Sequence, residues 1–342
     1  MSRRSGFIGL VTASTISRVG SRLTTIALPW LILSTSHSAA RTGIVAAVEL
    51  VPYVLACALV GPLIDRIGGR IMSVTADLLS VVVVGGIPLL YGAGDLGFTG
   101  LLVLVAVAGL VRGVGDTAKQ GGMVPQTIAA AGVDMTRATS LIDGVSRAAS
   151  MTGALVAGGL IVWLGTANVL YVDALSFLVC ALLVAGTVRV SGRDRSTPEA
   201  YGVALRAGIA YARRDRLVLG LMLMLLVTNM LDQAYSSVLL PLWAHDIYDS
   251  ALGIGLVAAA AGTGAVLTNI VYTALAPKLP RWAPYTFGFI VAGAPRFFVL
   301  GSGAPIWIVM VSAFVNGIGV AALNPILSAV MYERIPMRMQ SR

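Results

Sequence analysis

Long apolar runs broken by short arginine-bearing loops fill this sequence from end to end. A helix that crosses the roughly 30 Å hydrocarbon core of a bilayer needs about 20 mostly apolar residues. Ten stretches meet that requirement: 7–33, 42–64, 71–91, 98–118, 138–164, 168–188, 217–243, 252–276, 283–301 and 305–332. Each predicts a transmembrane α-helix, because a backbone in lipid must satisfy its polar groups internally. The predicted fold class is therefore an all-α membrane protein, a bundle of about ten transmembrane helices.

The connecting loops orient the bundle. With the N-terminus in the cytoplasm, the inner segments hold eighteen basic residues: Arg3, Arg4, Arg66, Arg70, Lys119, Arg137, Arg189, Arg193, Arg195, Arg206, Arg213, Arg214, Arg216, Lys278, Arg281, Arg334, Arg338 and Arg342. The outer loops hold Arg41 alone. Positive loops resist translocation, so both termini are expected in the cytoplasm. The longest polar stretch, 189–216, separates six predicted helices from four. The expected domains are an N-terminal six-helix bundle (1–188), a cytoplasmic linker (189–216) and a partial C-terminal bundle of four helices (217–342). Within the linker, Leu205, Ile209 and Ala212 recur at helical spacing, with Arg206 and Arg213 on other faces. That pattern fits a short helix lying on an anionic membrane surface, or else a disordered basic loop.

Composition supports the lipid reading. Apolar residues make up 57% of the chain and charged residues 11%, against roughly 25% charged in ordinary soluble domains. The net charge of +9 does not mark a nucleic-acid binder, because the basic residues punctuate apolar runs rather than form a patch. Arginine outnumbers lysine 22 to two, a skew that hints at a GC-rich bacterial genome and hence a bacterial cell membrane. Cys57 and Cys180 lie inside apolar runs with no further ligand residues beside them, so neither a metal nor a disulfide is expected. Arg3-Arg4 precede a segment that itself carries Arg18 and Arg22 and has no clear cleavage site, so a retained first helix is expected rather than a leader. Neither lysine sits in a phosphate-binding loop, and neither His37 nor His245 sits in a zinc-protease motif. Gly113-Val114-Gly115-Asp116 matches the short motif of intramembrane aspartyl proteases, but no Tyr-Asp pair stands in an earlier helix, where Tyr53 precedes Val54 and Tyr91 precedes Gly92. No cofactor, nucleotide or enzymatic activity is expected.

Between the second and third predicted helices stands Gly61-Pro62-Leu63-Ile64-Asp65-Arg66-Ile67-Gly68-Gly69-Arg70. The physics suits a tight cytoplasmic turn. Gly61 allows close helix approach. Asp65 can bond a nearby arginine or cap a helix N-terminus. Gly68 and Gly69 permit the turn. This loop resembles the signature loop of the major facilitator superfamily, with Gly69 where an arginine is common. Residues 21–30 of the first helix, 208–215 of the linker and Glu333-Arg334-Ile335-Pro336 of the tail resemble the macrolide-efflux and enterobactin-exporter branch. The resemblance covers the whole chain. It implies a 6+6 repeat from which helices eleven and twelve are missing here, so that the architecture is 6+4. It also implies that Gly61, Asp65, Arg66, Gly69 and Arg70 act in gating. Gly153–Gly159 resembles the family's antiporter motif, with Ala154 in place of proline.

Ionisable groups at membrane depth are functional candidates. Arg112 and Asp116 are four residues apart, as are Asp143 and Arg147, so each couple can pair within its own helix. With Asp77 they are expected to form a charge network on the cytoplasmic side. Asp173 is expected as a cap or interface residue near the outer face. Arg18 and Arg22 share one face and need acidic partners or a water-filled cavity. Asp232 lies near the middle of the seventh helix, and Glu49 about 10 Å below the outer surface. A carboxylate at such depth can exchange protons near neutral pH. Asp232 or Glu49, tuned by Arg18 or Arg22, is therefore a candidate proton-coupling site, with an interhelical ion pair as the alternative. In the family's fold the first, fourth, seventh and tenth helices line a central cavity. That makes Thr24, Thr25, Asn229, Tyr235, Asn316 and Asn324 candidate substrate contacts, each of which could equally make helix–helix hydrogen bonds.

These readings predict a secondary transporter that exports a small molecule, such as a drug, a macrolide-like compound or a siderophore, by proton antiport. The alternative is a non-transporting membrane protein or binding partner, since four helices leave one side of the cavity unlined.

Overall fold

The computed structural model describes residues 3–133, 135–188, 213, 215–275 and 282–334; all elements among them are helical. The chain divides into two compact units, Met1–Arg195 with Ser250–Gly255, and Ser196–Asp249 with Leu256–Arg342.

In the first unit, helix α1 (Arg3–Ser36) packs along α8 (Thr166–Thr187) and α7 (Met135–Leu164). Helix α2 (Ala39–Leu59) lies on α5 (Phe98–Thr117), and α4 (Gly69–Ala93) bridges α5 and α8. A short α3 (Gly61–Ile67) connects α2 to α4. The second predicted run, 42–64, breaks at Val60 because Pro62 starts a new helix. The turn into α4 depends on Gly68, whose φ of 100° other residues rarely adopt. Helix α5 does not stop at its predicted end. It widens into a π-helical turn, Ala118–Met123, and continues as α6 (Val124–Ala131).

Glycines set the closest backbone approach of this unit. A Cβ on Gly109 or Gly113 of α5 would run into the backbone carbonyl of Glu49 or Tyr53 on α2. The two helices can touch only because those side chains are absent. Gly61 behaves differently from expectation: nothing lies within 4 Å of where its Cβ would be, so it mediates no close approach.

In the second unit, α9 (Arg216–Ala234) passes through π turns at Tyr235–Leu239 and Ala244–Tyr248 on either side of α10 (Leu240–Trp243). Asp215 caps the start of α9, accepting from the backbone N–H of Leu217 at 3.0 Å and of Val218 at 3.4 Å. Next come α11 (Leu252–Leu275), α12 (Trp282–Ala292), α13 (Pro295–Gly301) and α14 (Ile306–Arg334). Pro295 starts α13 and divides the ninth predicted run. A Cβ on Gly317 of α14 would strike the carbonyl of Ala261 on α11, and one on Gly264 of α11 the carbonyl of Phe314. The second unit thus repeats the glycine-mediated contact of α2 with α5. The contact of α12 with α14 likewise repeats that of α4 with α5.

Six described runs are long and apolar enough to cross a membrane: Ala39–Leu59, Gly69–Ala93, Phe98–Ala131, Gly144–Leu164, Thr166–Thr187 and Arg216–Tyr248. Leu252–Thr268, Tyr285–Gly301 and Ile306–Val320 are shorter apolar helices. Helix α1 is less apolar because Arg18, Arg22 and several serines and threonines interrupt it.

Candidate functional site

Among the described residues, charged side chains inside the helices gather into three clusters, two in the first unit and one in the second. The first joins α2 to α5. Arg112 of α5 pairs with Glu49 of α2 at 2.8 Å, and its guanidinium lies over the Tyr53 ring, 5.1 Å from the centroid. One turn further along each helix, the Tyr53 hydroxyl donates to Asp116 Oδ2 at 3.2 Å. The expected pairing of Arg112 with Asp116 inside α5 is therefore not made. The glycine contacts bring the α2 backbone so near that Glu49 is the closer partner. Both members of the pair remain partly accessible. Arg18 and Arg22 lie on α1, and neither makes an ion pair among the described residues.

The second cluster is deeper. Lys119 Nζ donates to Asp77 Oδ1 at 2.8 Å, with both side chains buried. The sequence places Lys119 in a cytoplasmic loop and Asp77 with Arg112 and Asp116. The structure overturns the first expectation, and it adds Lys119 to Asp77 rather than separating Asp77 from Asp116. The π turn prolongs α5, so Lys119 points inward at α4 rather than out to solvent. Ser73 Oγ and Asp77 Oδ2 are buried without a partner among the described residues.

Of the two roles expected for Asp173, cap or interface residue, the structure rules out the first: Gly165 starts α8, and Asp173 is buried within that helix. It accepts from Thr24 of α1 and from Ser176 at 3.1 Å. Thr24 is thereby occupied in joining α1 to α8, and Thr25 donates to the Ser21 carbonyl at 2.8 Å.

The third cluster lines a cavity of about 430 Å³ in the second unit. Asp232 of α9 pairs with Arg296 of α13. Arg296 also lies over the rings of Tyr235 (4.8 Å) and Phe297 (4.9 Å). Arg296 went unnoticed in the sequence, although it is the one charged residue inside the run 283–301. Asn229 lines the same cavity but donates to its own helix at Leu225 O, 2.7 Å away. Asn316 is buried and donates to the Ala292 carbonyl at 2.8 Å, holding α14 to α12. Asn229 and Asp232 thus share the cavity wall with Arg296. Tyr235 is buried beneath that arginine.

In the signature loop, Asp65, Arg66 and Arg70 are exposed. Arg70 donates to the Ala185 carbonyl, satisfying a free acceptor in the last turn of α8. Arg147 is exposed, whereas the side chains of Asp143 and Asn324, like the linker residues Leu205, Arg206 and Ile209, lie outside the described residues. Among the described residues no group of acidic, histidine or cysteine side chains could hold a metal ion.

Comparison with known proteins bears on descent and fold. Residues 10–342 match the Major Facilitator Superfamily. The multidrug efflux pump Tap of Mycobacterium tuberculosis (strain ATCC 25618 / H37Rv) is 25% identical over 339 residues, which cover 97% of this chain and 80% of that one. The pump of the same name from Mycolicibacterium fortuitum is 26% identical, covering 99% of this chain and 84% of its own. Among solved structures, the nucleoside transporter NupG superimposes with a TM-score of 0.76 at 10% identity, covering 100% of this chain and 85% of that one. A bacterial homologue of the iron transporter ferroportin in its inward-facing state gives 0.67 at 15% identity, with 98% and 85% covered. The structural likeness speaks for the fold, and the family match for descent. The protein is a multi-pass transporter of the bacterial cell membrane, not an enzyme, and it belongs to the Major Facilitator Superfamily.

Proposed function

We propose that this transporter exports lipophilic, drug-sized molecules in exchange for protons, with Glu49 as the proton carrier and Arg112 as its counter-ion. The observation that carries this reading is the 2.8 Å Arg112–Glu49 pair, partly accessible and set directly beside the Tyr53–Asp116 hydrogen bond. A carboxylate held by one cation at membrane depth is a group whose charge is costly and whose protonation changes its surroundings. A proton arriving on Glu49 neutralises the carboxylate and frees Arg112. Asp116, one turn away on the same helix, then becomes the nearest acceptor for the guanidinium. Loss of the proton to the cytoplasm restores the original pair. Arg112 thus has two alternative carboxylates, which is what a two-state element requires. The name carried by the mycobacterial relatives supports a substrate class of diverse drugs.

The test is drug transport driven by an imposed pH gradient in proteoliposomes. Glu49→Gln is expected to abolish the response to the gradient while retaining drug binding. Arg112→Lys, which keeps the charge but not the planar fork, is expected to retain part of it. Asp232→Asn, at the other carboxylate at membrane depth, is the control expected to keep its pH response. Undiminished pH-driven export by Glu49→Gln would overturn the assignment.

A further inference from the structure

Asp77 and Asp173 are the two fully buried carboxylates among the described residues. Asp77 has Lys119 at 2.8 Å. Asp173, only 1% exposed, has no cation within ion-pair distance among the described residues. Its partners are two hydroxyls. Thr24 of α1, itself buried, bonds Oδ2, and Ser176, almost one turn along α8, bonds Oδ1 at 3.1 Å. Gly20 of α1 closes the space beside them, since a Cβ there would strike Asp173 Oδ1 and Ser176 Oγ. No described charge on the helices packed against α8 pairs with Asp173. Arg18 and Arg22 of α1 make no ion pair among the described residues. On α4, Asp77 is engaged by Lys119, and Arg70 is bonded to the Ala185 carbonyl. On α7, Arg147 is exposed, and the side chains of Arg137 and Asp143 lie outside the described residues. The next charges in range are Arg112 and Glu49, which are paired with one another.

We infer that Asp173 is a proton-binding site separate from Glu49: a neutral carboxylic acid that clasps α1 to α8 and releases it when the proton leaves. A lone charge buried at membrane depth is so costly that the group neutralises instead. The surroundings suit the neutral form. A hydroxyl both donates and accepts. With the proton on Oδ2, the acid donates to Thr24 Oγ1, and Ser176 donates to Oδ1. Both carboxyl oxygens are then bonded with no charge present. Loss of the proton breaks the acid's O–H bond, leaves the electron pair on the carboxylate and hands the proton to water. The resulting charge has two hydroxyl donors and no cation. Water must reach it, and α1 has to draw away from α8 at Gly20 to admit that water. The clasp is built on the bound proton, so it holds at acidic and neutral pH and weakens as the pH rises. The first unit then binds protons on two helix pairs, at Glu49 between α2 and α5 and at Asp173 between α1 and α8.

The experiment places the full 342-residue chain in lipid nanodiscs and raises the pH from neutral into the alkaline range. Infrared spectroscopy reads the C=O stretch of an undissociated carboxylic acid. At neutral pH the unaltered chain is expected to show such a band, Glu49→Gln to keep it and Asp173→Asn to lose it. Thr24→Val, at the other end of the same bond, is expected to shift the band without removing it, which identifies the acid from a second residue. Hydrogen exchange, corrected for its intrinsic pH dependence, is the second readout. Protection of α1 and α8 is expected to fall as the band disappears, and to stay level in Asp173→Asn, whose amide stays neutral and can still bond Thr24. Thermal unfolding is the third. Asp173→Asn is expected to leave the midpoint nearly unchanged, whereas Asp77→Asn, which strands Lys119, lowers it. Three results would overturn the inference: a neutral-pH band that Asp173→Asn leaves intact and Thr24→Val does not move, a band that survives the whole alkaline range in which the fold persists, or α1 protection that follows pH equally in Asp173→Asn. None of these readouts depends on transport, so they stand or fall separately from the export reading.

Discussion

Helices α1 and α9 open the two units, yet one is enclosed and the other open. Helix α1 buries Phe7, Leu10, Ala13, Leu23, Ala27, Leu28 and Leu33 against α7 and α8. In α9, over Arg216–Ala234, only Val218 is buried, while Met222, Leu223, Leu226, Val227 and Met230 are exposed. In water such a surface would drive aggregation; in lipid, exposed leucine costs little. What separates the helices energetically is the fate of their polar groups. Thr24 finds Asp173, while Asp232 and Arg296 have one another and an open cavity. Enclosure by neighbours, rather than apolar content, separates these two helices among the described residues.

The comparison can be broken most forcefully at the buried pairs. Lys119→Met strands Asp77 in a closed interior and is expected to lower stability by about 3–5 kcal/mol. Lys119→Met combined with Asp77→Leu should recover much of that loss. Arg296→Met, in the open groove, is expected to cost less than Lys119→Met because Asp232 is already half accessible. Thermal unfolding in detergent compares the three, and equal losses at both pairs would erase the contrast between the units. The glycine contacts come next. Gly109→Val in the first unit and Gly317→Val in the second should each cost about 1–3 kcal/mol by forcing a helix pair apart, since the contact is common to both halves. A large loss in one half alone would argue against the repeat. The smallest effect is at the threonines. Thr24→Val should cost about 1 kcal/mol, and Thr228→Val, which loses only a bond to its own helix at Leu225 O, close to none.

Much of this fold is legible in the sequence because lipid imposes one rule on every span. Apolar length and arginine punctuation mark where the helices run, but the breaks at Pro62 and Pro295 are not legible, since Pro29, Pro52 and Pro88 sit inside unbroken helices. The partners of the charges are harder to read. Arg112 stands four residues from Asp116 and bonds Glu49 instead, because two glycines draw α2 close, and that proximity is a property of the packed pair. Lys119 reads as a loop residue because it follows the end of an apolar run, yet the helix carries on through a widened turn. Arg296 was within reach of sequence reasoning: a lone arginine in an apolar run needs a carboxylate, and Asp232 lacked a cation in its own helix. Depth along a helix can be counted from the sequence, but the direction a side chain faces and what stands opposite require the assembled bundle.

The widened turn at Ala118–Met123 has a mechanical consequence. The Val124 N–H reaches back five residues to the Lys119 carbonyl, so this stretch stores one residue more than a regular winding would use. Drawing in that spare residue would rotate everything beyond it by about 100° relative to the rest of the helix. Such a twist would swing Lys119 off Asp77 and carry Thr127 and Ile128 off their buried seats without severing the rod. The chain therefore holds, just beyond Arg112 and Asp116, a wide turn whose angle is set by the Lys119–Asp77 pair together with the buried Met123, Thr127 and Ile128.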